Sequence, residues 1–425
     1  MTRWIHSSSF AIAMTLSFVL PGGGVREAIA DTLATTSPDD GGEPLTVERV
    51  IEIARARALE VLVAATRVAE AQGRLGGARR WLAHNPEIEA TAGPRRAAET
   101  TTDSEFALAW PVELGYRRGR RVALAAAEVE REEWSARDAE RRATAAALGA
   151  YYRALRAERG LELADRRRAL ADTLRLVAAE RMRAGDVAAF DVNVAETEFA
   201  RAESEVFSVQ GERARALVDL AAVLVLSSGA KIRLAGDLTD RTRLEALTAG
   251  ASDATRPDLQ AAEAELRAAA ADVRLANASR VPEVAFSGSY AREDEGTTIA
   301  RGGAAVTLPI FDRGQVPRAE ARARRARAEA ELAARRAAVA AEIEGARAAY
   351  AAAVESVRRL EERALPGAEA NEMMAAEAYR AGRMGLADFL VLRRDALQTR
   401  SDYDDRLLDA ALAGVDLAIA TGTLP

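Results

Sequence analysis

The chain states nearly the same pattern twice, and a duplication of this size fixes the architecture before any local reading. A Pro-Glu-apolar run opens each copy, Asn85-Pro86-Glu87-Ile88 and Val281-Pro282-Glu283-Val284. Each copy continues with two short alternating runs split by a polar loop, and with an apolar-Pro-apolar step, Trp110-Pro111-Val112 and Leu308-Pro309-Ile310. A very long helical stretch follows, broken by Arg183-Ala184-Gly185 in one copy and Arg380-Ala381-Gly382 in the other. Asp191 and Asp388 stand at the same distance beyond those glycines, and the register between copies stays near about 197 residues.

Composition narrows the class. Of 425 residues, 49% are hydrophobic, 29% charged and only 5% aromatic. Alanine and arginine dominate, and Lys231 is the only lysine. Such a mixture favours long helices and coiled coils. A net charge of -6 leaves no basic footprint for nucleic acid. The chain has no cysteine, which rules out disulfides, thiolate metal sites and a lipid-bearing N-terminal Cys in this sequence. At the N-terminus, Arg3 and His6 precede the apolar run Phe10–Leu20, and Ala28-Ile29-Ala30 offers a cleavage site. Residues 1–30 therefore read as a secretory signal peptide, too short in its apolar part to span comfortably, and 31–44 as a polar linker.

The first repeat covers 45–227. It opens with a helix capped by Thr46 and running to about Leu82, with Asn85-Pro86 ending it. A β-hairpin over 86–112 follows, then a coiled-coil hairpin over 115–227. A connector over 228–255 carries one strand-like run, Lys231–Leu234. The second repeat covers 256–422, with a helix, a β-hairpin over 282–310 and a coiled-coil hairpin over 314–421. Val284, Phe286, Gly288 and Tyr290 alternate with Glu283, Ala285, Ser287 and Ser289. Ala304, Val306, Leu308 and Ile310 share one face of the return strand, and Phe106, Leu108, Trp110 and Val112 one face of its counterpart. Period-two alternation over about ten residues marks a strand with one apolar face. The polar loops are expected at Arg95–Asp103 and Arg292–Thr298. The helical regions, about 115–183 and 315–379, would each extend roughly 100 Å, far beyond an ordinary core, so each must pack along its length. Leu365-Pro366-Gly367 marks an expected kink.

An exported chain with ten-residue one-faced strands fits strands that cross an outer membrane, with charged soluble helices between them. Four strands cannot close a barrel, and an open edge in lipid leaves backbone groups unpaired at several kcal/mol each. More than one copy must share a barrel. Two copies give eight strands and a filled interior; three give twelve and room for a lumen.

The chain resembles the TolC family of outer-membrane efflux proteins over about residues 45–422. The resemblance is carried by the duplication, Leu45-Thr46-Val47-Glu48, the two Pro-Glu openings, Leu308-Pro309-Ile310-Phe311-Asp312-Arg313-Gly314 and Tyr379-Arg380-Ala381-Gly382. It implies a mainly α fold with a small membrane β part, in which a homotrimer forms a twelve-stranded β-barrel continuing into an α-helical tunnel across the periplasm. It also implies docking to a periplasmic adaptor and to an inner-membrane pump or ABC transporter, with the barrel in outer-membrane lipid. The Asn-Pro-Glu opening and short chain are most similar to the heavy-metal-type subgroup. The implied function is a passive exit duct. Type I protein secretion is the alternative, and a periplasmic adaptor or a non-pore coiled-coil protein fits the duplicated amphipathic hairpins less well.

Three groups of residues are candidates. Arg183, Gly185, Asp186 and Val187, with Arg380, Gly382, Arg383 and Met384, lie where paired helices reverse. By resemblance these tips dock the adaptor, with Val187, Met384 and Leu386 supplying exposed apolar contact. Asp191 and Asp388 would form carboxylate rings at a periplasmic gate, which favour cations; an aspartate near a helix start is also favourable to the dipole alone. Family channels carry a second aspartate where this chain has Val391. Tyr379 and Arg380 are candidates for linking neighbouring coiled coils there. Trp110, Val284, Phe286, Tyr290, Val306 and Leu308 form the expected membrane belt, with Trp81 at its boundary. No cofactor, metal site or catalysis is expected. His84 is the only histidine beyond the signal, the methionines near the tips read as packing residues, and no nucleophile, P-loop or zincin motif occurs.

Overall fold

The computed structural model describes residues 44–82, 84–96, 100–227, 229–240, 256–293 and 297–424, all within the unit Pro44–Pro425. The expected signal peptide, nearly all of the linker and the connector beyond Asp240 lie outside the described residues.

Helix α1 (Val47–Arg57) starts where the sequence sets it: Thr46 is extended, and its hydroxyl accepts from the Arg49 amide at 3.3 Å. It does not run on to Leu82. Ala58 turns to ψ 135 and α2 (Leu59–Ala78) begins anew. Ala58 is buried, so packing against the body sets the break, and no Gly or Pro announces it. Strands β1 (Glu87–Arg96) and β2 (Thr100–Val112) lead into α3 (Arg117–Arg183), whose 67 residues span about 100 Å. Its return is α4 (Ala189–Val223). Helix α5 (Pro257–Ala276) then leads to β3 (Glu283–Glu293) and β4 (Thr297–Thr307). Helix α6 (Gln315–Arg359) ends in a π turn, Leu360–Ala364, and α7 (Leu365–Arg380) follows with Pro366 in its first turn. The expected kink is thus a π turn just before the proline, which tolerates a missing N–H at that position. Helix α8 (Leu386–Thr421) closes the chain. No described helix is long and apolar enough to cross a membrane.

The two hairpins join into one antiparallel sheet of order β1-β2-β3-β4. Pairing reaches Arg96↔Thr100 and Glu293↔Thr297, so the strands consume most of the residues expected in loops. Backbone pairing needs no apolar side chains, and the polar ends extend the ladder beyond the apolar band. At the other end β4 stops at Thr307, so Leu308 and Ile310 lie outside the strand. Pro309, which has no N–H for a ladder, accounts for that stop.

The main core sits midway along the helices. Leu148, Tyr151, Leu220, Val357, Leu407 and Val415 meet there with Val50 of α1. The Tyr151 hydroxyl donates to the Ala235 carbonyl at 2.9 Å, and burial, with smaller contributions from Tyr152 and nearby acids, pushes its pKa up to about 12. The connector is held further by a single parallel bridge, Leu45↔Leu234. Beside this core a buried ion cluster joins four helices. Arg256, 1% exposed, donates to Asp258 at 3.0 and 2.7 Å, to Glu342 at 2.9 Å and to the Ala420 carbonyl at 2.7 Å. Arg335 also binds Asp258. Arg141 binds Asp138 and the Ile419 carbonyl.

Candidate functional site

Helices α3 and α7 end in the same hydrogen-bonded motif. At the first reversal the Asp186 amide donates to the Arg181 carbonyl at 2.9 Å and the Gly185 amide to Met182 at 3.0 Å. At the second, Arg383 donates to Ala378 at 2.9 Å and Gly382 to Tyr379 at 3.1 Å. These are Schellman caps, which need a left-handed residue just past the helix. Gly185 has φ +82 and Gly382 φ +66; a Cβ at either would meet nothing within 4 Å, so conformation and not space selects glycine.

The returning helices start without a side-chain cap, at Ala188 and Gly385. Asp191 and Asp388 are each the third residue of their helix, where a carboxylate faces unpaired amides and the positive end of the dipole. Asp191 is half-buried and Asp388 exposed.

The structure brings the two reversals together. A cleft of ≈ 510 Å³ is lined from one side by Arg181, Asp186, Val187 and Asp191, and from the other by Tyr379, Gly382, Arg383 and Met384. Below it Leu174, Ala178, Ala195, Ala375, Tyr379, Leu386 and Phe389 form a second core. The Tyr379 ring stacks on Phe389 at 5.1 Å, and the Arg181 guanidinium lies 5.0 Å from the Tyr379 ring centre. Two sequence expectations change here. Leu386 is buried in this core and offers no exposed contact, and Val187 and Met384 are half-buried. Tyr379 is buried within its own chain. Arg183, Asp186, Arg380 and Arg383 are exposed, as is Val391. The two hairpins are also cross-linked above the tips: Arg394 reaches Glu198 at 3.1 Å, and Arg167 donates to the Leu397 carbonyl at 3.2 Å. No local pattern points to these partners, which lie about 200 residues apart in a chain where arginine is everywhere.

At the other end the register gathers the belt residues on one face. Trp110 lies opposite Phe286, Phe106 opposite Tyr290, Val112 opposite Val284, and Val284 opposite Val306. Directly opposed residues share a face. Ile88 and Leu108 extend the same face into β1. The other face carries Glu89, Glu105, Ser287, Ser289 and Arg301. Phe106, Leu108, Trp110, Phe286, Tyr290 and Val306 are all exposed, with Phe286 at 54%. Leu308 is exposed as well, just past the strand. Trp81 packs edge-to-face on Trp110 at 5.9 Å. A contiguous exposed apolar face marks a surface that another protein or lipid covers. Outer strands β1 and β4 each have one edge without a partner among the described residues.

The family model described as outer membrane efflux protein matches residues 250–423. Protein CyaE of Bordetella pertussis is 30% identical over 340 residues, covering 72% of this chain and 71% of that protein. Solved structures share the fold at lower identity. The open state of the MtrE outer membrane channel of Neisseria gonorrhoeae superposes with a TM-score of 0.73 at 17% identity, covering 88% of each chain. The CmeC outer membrane channel of Campylobacter jejuni gives 0.71 at 16%, covering 89% of this chain and 85% of its own.

Proposed function

The chain belongs to the outer membrane efflux protein family, and on that premise we propose that it is the exit duct of a tripartite export system. One observation carries the reading: a four-stranded sheet with an exposed apolar face and two edges unpaired among the described residues is continuous in sequence with a helix about 100 Å long. In lipid the apolar face is satisfied, but the edges of β1 and β4 are not, because each unpaired backbone group there costs several kcal/mol. Pairing β4 of one copy with β1 of the next is a head-to-tail contact, which closes a ring when the rotation between copies divides the circle. Three copies give twelve strands, a barrel wide enough for a lumen, whereas eight would be filled by side chains.

In this reading residues 1–30 direct export and are removed, the sheet lies in the outer membrane, and the helices line a tunnel through the periplasm. The paired reversals around Gly185 and Gly382 dock a periplasmic adaptor. Asp191 and Asp388, repeated around the three-fold axis, edge the periplasmic mouth and favour cations. Energy comes from an inner-membrane pump or ABC transporter; the duct itself is passive. Purified mature protein in a planar bilayer should conduct, and its detergent complex should have the mass of three chains. A water-soluble monomer without conductance would overturn the proposal. Deletion of the gene, followed by assays of drug and metal tolerance and of secreted polypeptides, separates efflux from type I secretion.

A further inference from the structure

Arginines collect where the helices meet the sheet. Arg79 and Arg80 follow α2, Arg117, Arg118, Arg120 and Arg121 open α3, and Arg280, Arg313, Arg318 and Arg322 flank β3 and β4. Only part of this charge is answered. Arg121 pairs with Glu113 and Arg117 with Glu283. Arg118 spends its donors on carbonyls, reaching Arg79 at 2.9 Å and Arg80 at 3.3 Å. That contact fixes the turn carrying Arg79 and Arg80, whose own exposed guanidinium groups have no partner among the described residues. Under the second hairpin, burial and the neighbouring charges of Arg280 and Arg322 lower the Arg318 pKa, and Arg318 has no ion pair among the described residues.

The level of this belt is marked. Trp81, 69% exposed, follows Arg80 directly and packs against Trp110 at the base of the apolar face. Aromatic residues with a polar edge settle where hydrocarbon meets headgroups, and arginines just outside that plane meet phosphate, which the guanidinium grips with two parallel N–H bonds. We propose that Arg79 and Arg80, positioned by Arg118 and levelled by the Trp81–Trp110 pair, bind the phosphate of anionic phospholipid headgroups in the periplasm-facing leaflet. This rests on the reading that the sheet lies in a membrane. The bound lipid neutralises the part of the belt that has no ion-pair partner among the described residues and sets the depth of the sheet.

The test uses full-length mature protein and an Arg79→Gln/Arg80→Gln variant, reconstituted into vesicles of phosphatidylcholine alone or mixed with phosphatidylglycerol. Retained lipid is measured after re-extraction. Wild type should enrich phosphatidylglycerol, and the variant should lose about thirtyfold in that preference, the change that about 1 kcal/mol per arginine gives. Insertion into phosphatidylcholine should be equal for both, and Arg79→Lys/Arg80→Lys should recover most of the preference. Equal enrichment by wild type and the glutamine variant overturns the proposal, as does displacement of the lipid by millimolar inorganic phosphate. Failure of wild type to insert into either vesicle removes the membrane placement itself, a different outcome from insertion without lipid preference.

Discussion

Asp258→Ala should destabilise the helical body by about 3 kcal/mol, near the low end of the range for breaking a buried ion pair. The structure sets that figure. Asp258 is the shared acceptor for Arg256, itself 1% exposed, and for Arg335. Its removal leaves the Arg256 guanidinium buried with Glu342 and the Ala420 carbonyl as remaining partners. Arg335 and Glu342 are more than one-third exposed at the side chain, so solvent offsets part of the loss. Replacing both partners, as in Arg256→Met/Asp258→Leu, should recover most of the stability, because no orphaned charge remains. The pH dependence has a definite sign. Burial works against the Asp258 charge, but hydrogen bonds from Arg256 and Arg335 and the field of Arg141 hold its carboxyl well below the usual carboxylate range. Its contribution is therefore complete above the unfolded value of about 3.9 and is lost as pH falls through the lower folded value. Urea unfolding followed by far-ultraviolet circular dichroism in detergent measures both effects. A loss below about 1 kcal/mol, or a wild-type-to-variant difference that shrinks already between about pH 7 and 5, would refute the assignment of this cluster as the clamp on α5, α6 and the end of α8.

The other predictions concern the two ends. Gly185→Ala and Gly382→Ala should each cost about 1 kcal/mol through the left-handed backbone alone, with export intact, whereas Gly185→Glu and Gly382→Glu should abolish export while the oligomer still forms; export assays beside detergent mass measurements decide. Tyr379→Ala removes a buried ring stacked on Phe389, at a cost of about 3 kcal/mol, and should make the reversals cleave faster in limited proteolysis, while Tyr379→Phe should not. Leu108→Arg puts a charge in the middle of the apolar face, costing about 2–4 kcal/mol there, and should abolish assembly in outer-membrane fractions. Asp388→Ala should lower cation preference in single-channel recordings; an unchanged preference would leave only the helix-dipole role.

The parts of the fold that depend on local chemistry were legible. Thr46 caps a helix because its hydroxyl reaches an amide three residues on. Gly185 and Gly382 reverse the chain because only glycine takes those φ values without strain. The apolar alternation of Val284, Phe286 and Tyr290 produced a strand with the expected face. What the sequence hid depends on partners. The Ala58 break has no local signal, because its cause is burial against other helices. The union of β2 with β3 is a pairing across about 180 residues, and identical alternation would equally serve two separate hairpins. Val192, Phe199, Val206 and Leu220 recur at seven-residue positions of α4, and Arg213, at the one such position that is charged, makes an ion pair with Glu158 at 2.8 Å.

The reversals show how far such reading carries for a site. The named residues stand at the two reversals; the charged ones are exposed, Val187 and Met384 are half-buried and Leu386 is buried. Leu386 follows Gly385 immediately and looks free in sequence, yet α8 begins there, and its first turn is pressed against α3 and α7 by Leu174, Ala178 and Tyr379. A helix start beside a turn is exposed only if nothing packs on it, and here a second hairpin does. The same fact redirects the docking argument. With Leu386 and Tyr379 committed to holding the two hairpins together, the candidate residues left for a partner are charged Arg183, Asp186, Arg380 and Arg383 around half-buried Val187 and Met384, with Met182 and Phe190 exposed beside them. The recognition expected of the four charged side chains is by hydrogen bonds and charge, and that of Met182 and Phe190 by apolar area; the charged groups, being more numerous and set around the cleft, are expected to dominate it. The affinity of the tips for a partner should therefore fall steeply with salt, over the range where the Debye length shrinks from about 10 to 3 Å. An apolar knob would hold its grip or tighten under the same change, so a salt titration of tip binding separates the two.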